Sequence, residues 1–137
     1  MTVSESIIEW LKGFNSARKL ERIDTDYQGA NVDSYALVKE PIRNVKNYLS
    51  GKKVITSHYT FHARLSNVEN VERIENNGFG EALENWVDRM NSRQQYPNIE
   101  GARVTNVDIT TPFCIGITED NSAVYQLTLA IQYEKEA

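Results

Sequence analysis

Ile74-Glu75-Asn76-Asn77-Gly78-Phe79-Gly80-Glu81-Ala82-Leu83-Glu84-Asn85-Trp86-Val87-Asp88-Arg89-Met90 is the stretch on which the fold turns. Phe79, Leu83, Trp86, Val87 and Met90 recur at helical spacing and make one apolar stripe, which a helix buries against another element. The Asn77-Gly78 step just before the stripe reads as the end of an earlier helix, because glycine accepts the left-handed conformation that closes many helices. That earlier helix, capped by Asn67, carries Val68, Val71 and Ile74. Two helices in immediate succession are therefore expected here.

Strand patterns flank them. Upstream, from Val54 to Leu65, the residues Ile55, Tyr59, Phe61, Ala63 and Leu65 share one face, with Ser57 a small polar exception. Thr56, His58, Thr60, His62 and Arg64 share the other, as in an antiparallel strand with one covered and one wetter face. Val45 to Tyr48 and the turn Ser50-Gly51-Lys52-Lys53 precede it, giving a hairpin of unequal arms. Downstream, a polar loop runs to Pro97. A strand from Ala102 to Ile109 follows, then an apolar excursion from Thr111 to Ile117. The final strand, Ala123 to Tyr133, alternates most cleanly, with Tyr125, Leu127, Leu129 and Ile131 on one side.

At the other end of the chain, Thr2 and Glu5 have the spacing of a capping box. Ile7, Trp10, Leu11 and Phe14 then follow a helical stripe, with Gly13 a weak point near its end. Leu20 to Gln28 reads as a modest strand, Gly29 to Asp33 as a turn, and Ser34 to Lys39 as a strand. The pair suggests a hairpin that Pro41 ends, since proline cannot donate to a ladder. This order predicts an α+β fold, mainly an antiparallel sheet with helices packed on one face, in a single domain over 1–137. The expected core is Ile7, Trp10, Leu11, Phe14, Ile55, Tyr59, Phe61, Leu83, Trp86, Val87, Leu127, Leu129 and Ile131.

Composition bounds the function. The chain has 137 residues, 40% hydrophobic and 25% charged, with 15 basic against 19 acidic residues and a net charge of -4. A sequence-independent nucleic-acid binder gains affinity from Lys and Arg set against phosphates. Here the basic residues are scattered, with no block longer than Lys52-Lys53, so no direct nucleic-acid recognition is expected. No apolar run approaches the ~20 residues of a membrane span. The start, MTVSESIIEW, lacks the build of a secretory signal. One cysteine, Cys114, excludes an internal disulfide and suits a reducing compartment. The expectation is a soluble intracellular protein.

Candidate chemistry is sparse. His58 and His62 have the spacing of a helical zinc pair, but on a strand four residues span ~13 Å and the rings cannot meet one ion. They read as half-exposed polar residues. Asp24 and Asp26 would point the same way on a strand and could hold a divalent cation, yet no further ligands accompany them. They read as solvent-facing charges. Cys114 has no adjacent charge to activate it and reads as a small buried hydrophobe. No nucleophile elbow, phosphate loop or dinucleotide fingerprint occurs, and the H-x-x-x-D pattern fails because Ser66 follows His62 at that spacing. Tyr27, Tyr35, Tyr48, Tyr59 and Phe61 fall in expected strands, where cross-strand or core packing accounts for them. No catalytic residue, cofactor site or metal site is assigned, and no enzyme is expected.

The phrases IENNGFGEALENWVDRMN, GARVTNVDITTPF and EDNSAVYQLTLAIQYEKE, in this order, resemble a family of phage and prophage minor capsid or tail-terminator-like proteins. The helix IIEWLKGF, the segment DYQGANVDSYALVKEP and the strand VITSHYTFHARL extend the resemblance over nearly the whole chain, as a pattern of elements. It implies a small α+β structural protein in the virion, at the junction of tail and head, assembled in the host cytoplasm. Its implied partners are copies of itself in a ring of usually six (monomeric when free in some members), the major tail tube protein and the head-side connector. Neighbouring connector or completion proteins fit the same pattern, and a small ligand-binding or enzymatic domain is the rival from another class. For a partner surface, the apolar run Pro112, Phe113, Cys114 and Ile115 either contributes to an interface or folds back over the sheet. The hairpin tip with Lys52 and Lys53 is a second candidate, or simply a solvated turn.

Overall fold

The computed structural model describes residues 1–14, 20, 22–27, 29, 32–119 and 121–136. In chain order it contains α1 (Val3–Leu11), β1 (Ile23–Thr25), β2 (Ser34–Asn47), β3 (Lys53–Ser66), α2 (Asn70–Ser92), β4 (Arg103–Glu119) and β5 (Ser122–Lys135). The strands form one sheet in the order β1-β2-β3-β5-β4. All neighbours are antiparallel except β1 and β2. The fold is α+β, as the order of patterns predicts.

Alternation in β3 and β5 decides where the helices sit. Tyr59 lies opposite Leu129, Phe61 opposite Leu127 and Ala63 opposite Tyr125, so each cross-strand pair puts apolar side chains on the same face. These residues join Ile7, Trp10, Leu11 and Phe14 of the N-terminal segment and Phe79, Leu83, Trp86 and Val87 of α2 in one buried cluster. Every residue of the expected core belongs to it. Aromatic rings cross the cluster from element to element: Trp10 meets Trp86 at 4.7 Å between centroids, Phe79 meets Phe113 at 5.7 Å, and Phe113 stacks on Tyr125 at 5.2 Å. Pairs of this kind add ~0.5–1.5 kcal/mol beyond the area they bury. The Trp10 indole N–H donates to the Gln95 carbonyl at 2.8 Å, so its burial leaves no donor unmet.

The capping box on α1 is present: the Glu5 backbone N–H donates to the Thr2 hydroxyl, and the Thr2 N–H donates to the Glu5 carboxylate. Elsewhere, local signals give way to packing. The expected pair of helices is a single helix, α2, running straight through Gly78 and Gly80. Its cap is Glu69, not Asn67, and the Glu69 N–H donates to Glu72 at 3.0 Å. Asn76 and Phe79 on either side of Gly78 are both buried, so the sheet holds the helix across its weakest point. Gly80 has a reason of its own, because a Cβ there would overlap the Phe113 ring.

Pro41 likewise does not end its strand. The hairpin β2–β3 is one long unit, with a register shift between Lys39 and Arg43 and pairing resumed from Arg43 to Asn47. Proline is tolerated because it falls within that register shift on an edge strand, where the ladder is already interrupted. The expected strand from Leu20 to Gln28 shrinks to three residues, which pair with Tyr35 to Leu37 in parallel, not as a hairpin. Asp26 and Asp33 both take positive φ, at 53° and 64°. Glu21, Gln28, Ala30 and Asn31 of the expected strand and turn lie outside the described residues. Finally, the excursion from Thr111 to Ile117 is part of β4 itself, accommodated by register shifts against β5.

Candidate functional site

The two edges of the sheet are finished differently. Along β4, α2 supplies side-chain acceptors to the strand: the Val107 N–H donates to Asn91 Oδ1 at 2.9 Å and the Phe113 N–H to Glu84 Oε1 at 2.8 Å. Seven residues separate Asn91 from Glu84, two helical turns, so both project from the same side of α2. Along β2, β1 pairs only from Tyr35 to Leu37, and Asp26 Oδ1 accepts from the Lys39 N–H at 2.9 Å. From Pro41 to Asn47 no described strand covers the outer side of β2.

That open stretch leads into the β2–β3 turn at the end of the sheet. The Gly51 N–H donates to the Tyr48 carbonyl and the Tyr48 N–H to the Lys52 carbonyl, with Gly51 at φ 89, which closes the hairpin tightly. Ile42, Val45, Tyr48 and Leu49 are all exposed, Leu49 fully so at 110%. Surface apolar side chains are ordinary when single; here four fall within eight residues of the chain at one hairpin end. Its root is anchored by charge. Glu134 accepts from Arg103 at 2.6 Å and pairs with Lys52 at 3.2 Å, and these contacts hold its carboxyl below the usual carboxylate range, Arg103 contributing most.

A second apolar group lies at the opposite end of the sheet, where β3 stops and α2 begins. Val68, Val71 and Ile74 are exposed there, Ile74 at 61%, together with Ile115 and Ile117 of distal β4. In a continuous helix Ile74 lies roughly 140° around from Phe79, at 100° per residue, so it cannot share the core stripe. That arithmetic was available from the sequence, but only for a helix read as unbroken.

Of the six residues expected at a partner surface, two are half-buried. Phe113 packs inward against Phe79 and Tyr125, and Lys52 is committed to Glu134, with its ammonium also 5.8 Å from the Tyr48 ring centroid. Pro112, Cys114, Ile115 and Lys53 are exposed. The two groups sit at opposite ends of the sheet and do not form one site. Cys114, expected to be buried, is exposed because the register shifts set it opposite Gln126, on the face away from the helices. Tyr27 and Tyr48 are exposed outside the strands instead of packed within them, whereas Tyr35, Tyr59 and Phe61 are buried.

The face away from the helices carries the polar candidates. Glu40 and Thr60 hydrogen-bond at 2.5 Å, and the Thr60 and Thr128 hydroxyls lie 3.0 Å apart, making a short row across three strands. His58 and His62 flank Thr60 along β3. Burial pushes the His62 imidazole below its usual value, and Glu40 opposes that shift. The His58 Nδ1 is buried without a hydrogen-bond partner among the described residues. Asp24 pairs with Arg22, while Asp26 is engaged by the Lys39 N–H, so the two carboxylates serve different contacts. Among the described residues no group of three or more His, Cys, Asp or Glu is placed to hold a metal ion. A cavity of about 440 Å³ near the start of β2, lined by Arg22, Asp24, Tyr27, Val32, Asp33 and Tyr35, includes neither histidine.

No family model and no curated protein matches this chain. No helix of the described residues is long and apolar enough to cross a membrane. The surfaces that stand out are therefore the two exposed apolar ends, the β2–β3 hairpin and the start of α2 with distal β4.

Proposed function

We propose that this chain is a structural assembly protein of a phage or prophage virion, similar to tail terminators, which closes the tail tube and meets the head-side connector. The observation that carries the reading is the placement of exposed apolar side chains. They lie at the two ends of the sheet, along the open end of the β2–β3 hairpin and beside a helix start, where a flat macromolecular partner can reach them. Docking proteins bury aromatic and aliphatic anchors at such points. The element order adds support through the resemblance carried by IENNGFGEALENWVDRMN and EDNSAVYQLTLAIQYEKE. A head-tail connector or completion protein is the neighbouring alternative, since it would use the same kind of surface.

One test separates these roles. Purified protein labelled at a surface lysine is mixed with tail tubes and, separately, with tail-less heads, and bound label is located by electron microscopy. A terminator binds one tip of the tube, and a connector binds the head vertex. Binding to neither would remove the assembly reading.

The unpartnered His58 Nδ1 favours a second reading, a small ligand on the polar sheet face. Chemical-shift changes at His58 and His62 on adding a metabolite mixture, with the His62 change lost in the His58→Phe variant, would support it.

A further inference from the structure

The two apolar ends differ in charge as well as position. From Lys39 to Lys53 the hairpin carries Lys39, Arg43, Lys46, Lys52 and Lys53 against the single acid Glu40. From its cap to its last turn, α2 carries Glu69, Glu72, Glu75, Glu81, Glu84 and Asp88 against Arg73 and Arg89. Some of these charges are already engaged: Lys52 by Glu134, Glu72 by the cap, and Glu84 by β4. Lys46 and Lys53 on the hairpin, and Glu75, Glu81 and Asp88 on the helix, remain exposed. Ile74, Glu81 and Asp88 are spaced at sevens and share one stripe of α2, which places an exposed apolar residue in line with two carboxylates. A basic, apolar-tipped hairpin thus has its electrostatic and apolar complement on the same molecule.

It cannot reach that complement within one chain. The hairpin lies at the Lys53 end of β3 on the β2 side of the sheet, and the start of α2 lies at the Ser66 end with β4. The 14 residues of β3 alone span about 43 Å. Opposite ends and opposite edges leave only contact between molecules.

Resting on the assembly reading above, we infer that the β2–β3 hairpin of one copy docks on the α2 start and distal β4 of a second copy of this chain. Leu49 and Tyr48 meet the apolar group of Val71, Ile74 and Ile115, and Lys46 and Lys53 face Glu75 and Glu81. The contact joins two different patches, so each copy offers one of each and the contact propagates head to tail, closing if the rotation permits. Opposed surface charges steer the encounter and fix its direction. Salt weakens it, since these charges remain close to solvent.

The test uses two charge-reversed proteins followed by sedimentation velocity over a wide concentration range. One carries Lys46→Glu and Lys53→Glu on the hairpin; the other carries Glu75→Lys and Glu81→Lys on α2. Wild type is expected to self-associate, and each variant alone is expected to do so at least tenfold more weakly. Mixed together, they restore association, because the acidic hairpin of the first faces the basic helix of the second and the reverse contact is also matched. Unimpaired self-association of either variant alone, or a mixture no stronger than its components, would overturn the interface. So would a wild-type chain that stays monomeric at every concentration. Tube capping by wild type in any of those cases would preserve the assembly role and discard only this contact. Loss of tube and head binding with the rescue intact would do the opposite.

Discussion

The Phe113 backbone N–H donates to the Glu84 carboxylate at 2.8 Å, so a helix side chain finishes a hydrogen bond that the edge of the sheet would otherwise leave open. Asn91 does the same for Val107 at 2.9 Å. Open edges invite pairing with other chains, and covering them is one way to prevent it. Glu84→Ala and Asn91→Ala should each cost about 1–3 kcal/mol if the freed donor stays buried, less if water reaches it. Hydrogen exchange at the Phe113 and Val107 amides should accelerate in the matching variant. Unchanged protection at both would mean that the helix does not guard this edge.

Two glycines in one helix should respond to alanine with opposite signs. At Gly78 a Cβ meets nothing within 4 Å, so Gly78→Ala should gain about 0.5–1 kcal/mol from helix propensity. At Gly80 the same methyl overlaps the Phe113 ring, which is itself packed against Phe79 and Tyr125. Overpacking there should outweigh the propensity gain and leave a net loss of about 1–2 kcal/mol. Urea denaturation of the two variants measures both. Equal effects would contradict the close approach of β4 to α2.

Acid should weaken the fold in two stages. Glu5 is held below its ordinary value by hydrogen bonds from the Thr2 backbone and then its hydroxyl, Glu72 by Ser66 and then the Glu69 backbone, and Glu134 by Arg103 and then Lys52. The folded chain therefore binds fewer protons than the unfolded one just below the ordinary value of 4.5. Stability present above that value is lost as pH falls through the lowered folded values. His62, pushed down by burial, gives the same sign at higher pH, with its decline starting near its ordinary 6.5. The denaturation midpoint should be flat above neutrality, decline below about 6.5 and decline further below about 4.5, the second step kept small by the solvent exposure of the three carboxylates. His62→Gln should remove the first decline and spare the second.

Leu49 should matter to partners and not to folding. Its side chain is fully exposed at the hairpin tip, so Leu49→Ser should change unfolding stability by less than about 0.5 kcal/mol. Binding to tail tubes or to other copies should weaken several-fold. A variant that binds as wild type, at unchanged stability, would take the tip out of any interface.

Much of this architecture was legible wherever pattern and packing agree. The alternation of Ile55, Tyr59, Phe61, Ala63 and Leu65 assigned both the strand and its buried face, and Thr2 with Glu5 marked the start of α1. The departures share one cause: tertiary contacts carry an element onward past a local stop signal. Gly78 has the look of a helix stop, yet Asn76 beneath it donates to the Ser66 carbonyl at 2.8 Å and Phe79 above it is in the core. Pro41 has the look of a strand stop, yet it falls within the register shift between Lys39 and Arg43, and pairing resumes beyond it. Cys114 seemed buried because register shifts in β4 cannot be counted from sequence.

The candidate surfaces were less legible. Pro112 to Ile115 is an apolar run in the sequence, but Phe113 is half-buried against the core and only its neighbours are exposed. The exposure of Ile42, Val45 and Leu49 is not legible in the sequence, because it depends on which part of the sheet the helices leave uncovered. The pairing of a basic hairpin with an acidic helix emerges only once both are placed at opposite corners of the molecule.

Growth of the tail tube in the presence of purified chain tests the central claim most directly. Tube subunits polymerising in vitro should stop lengthening on addition of a few copies of the chain per tube tip, giving short tubes with one blunt, capped end. Tubes that continue to lengthen at the same rate, with bare tips at saturating amounts of correctly folded protein, would contradict the account.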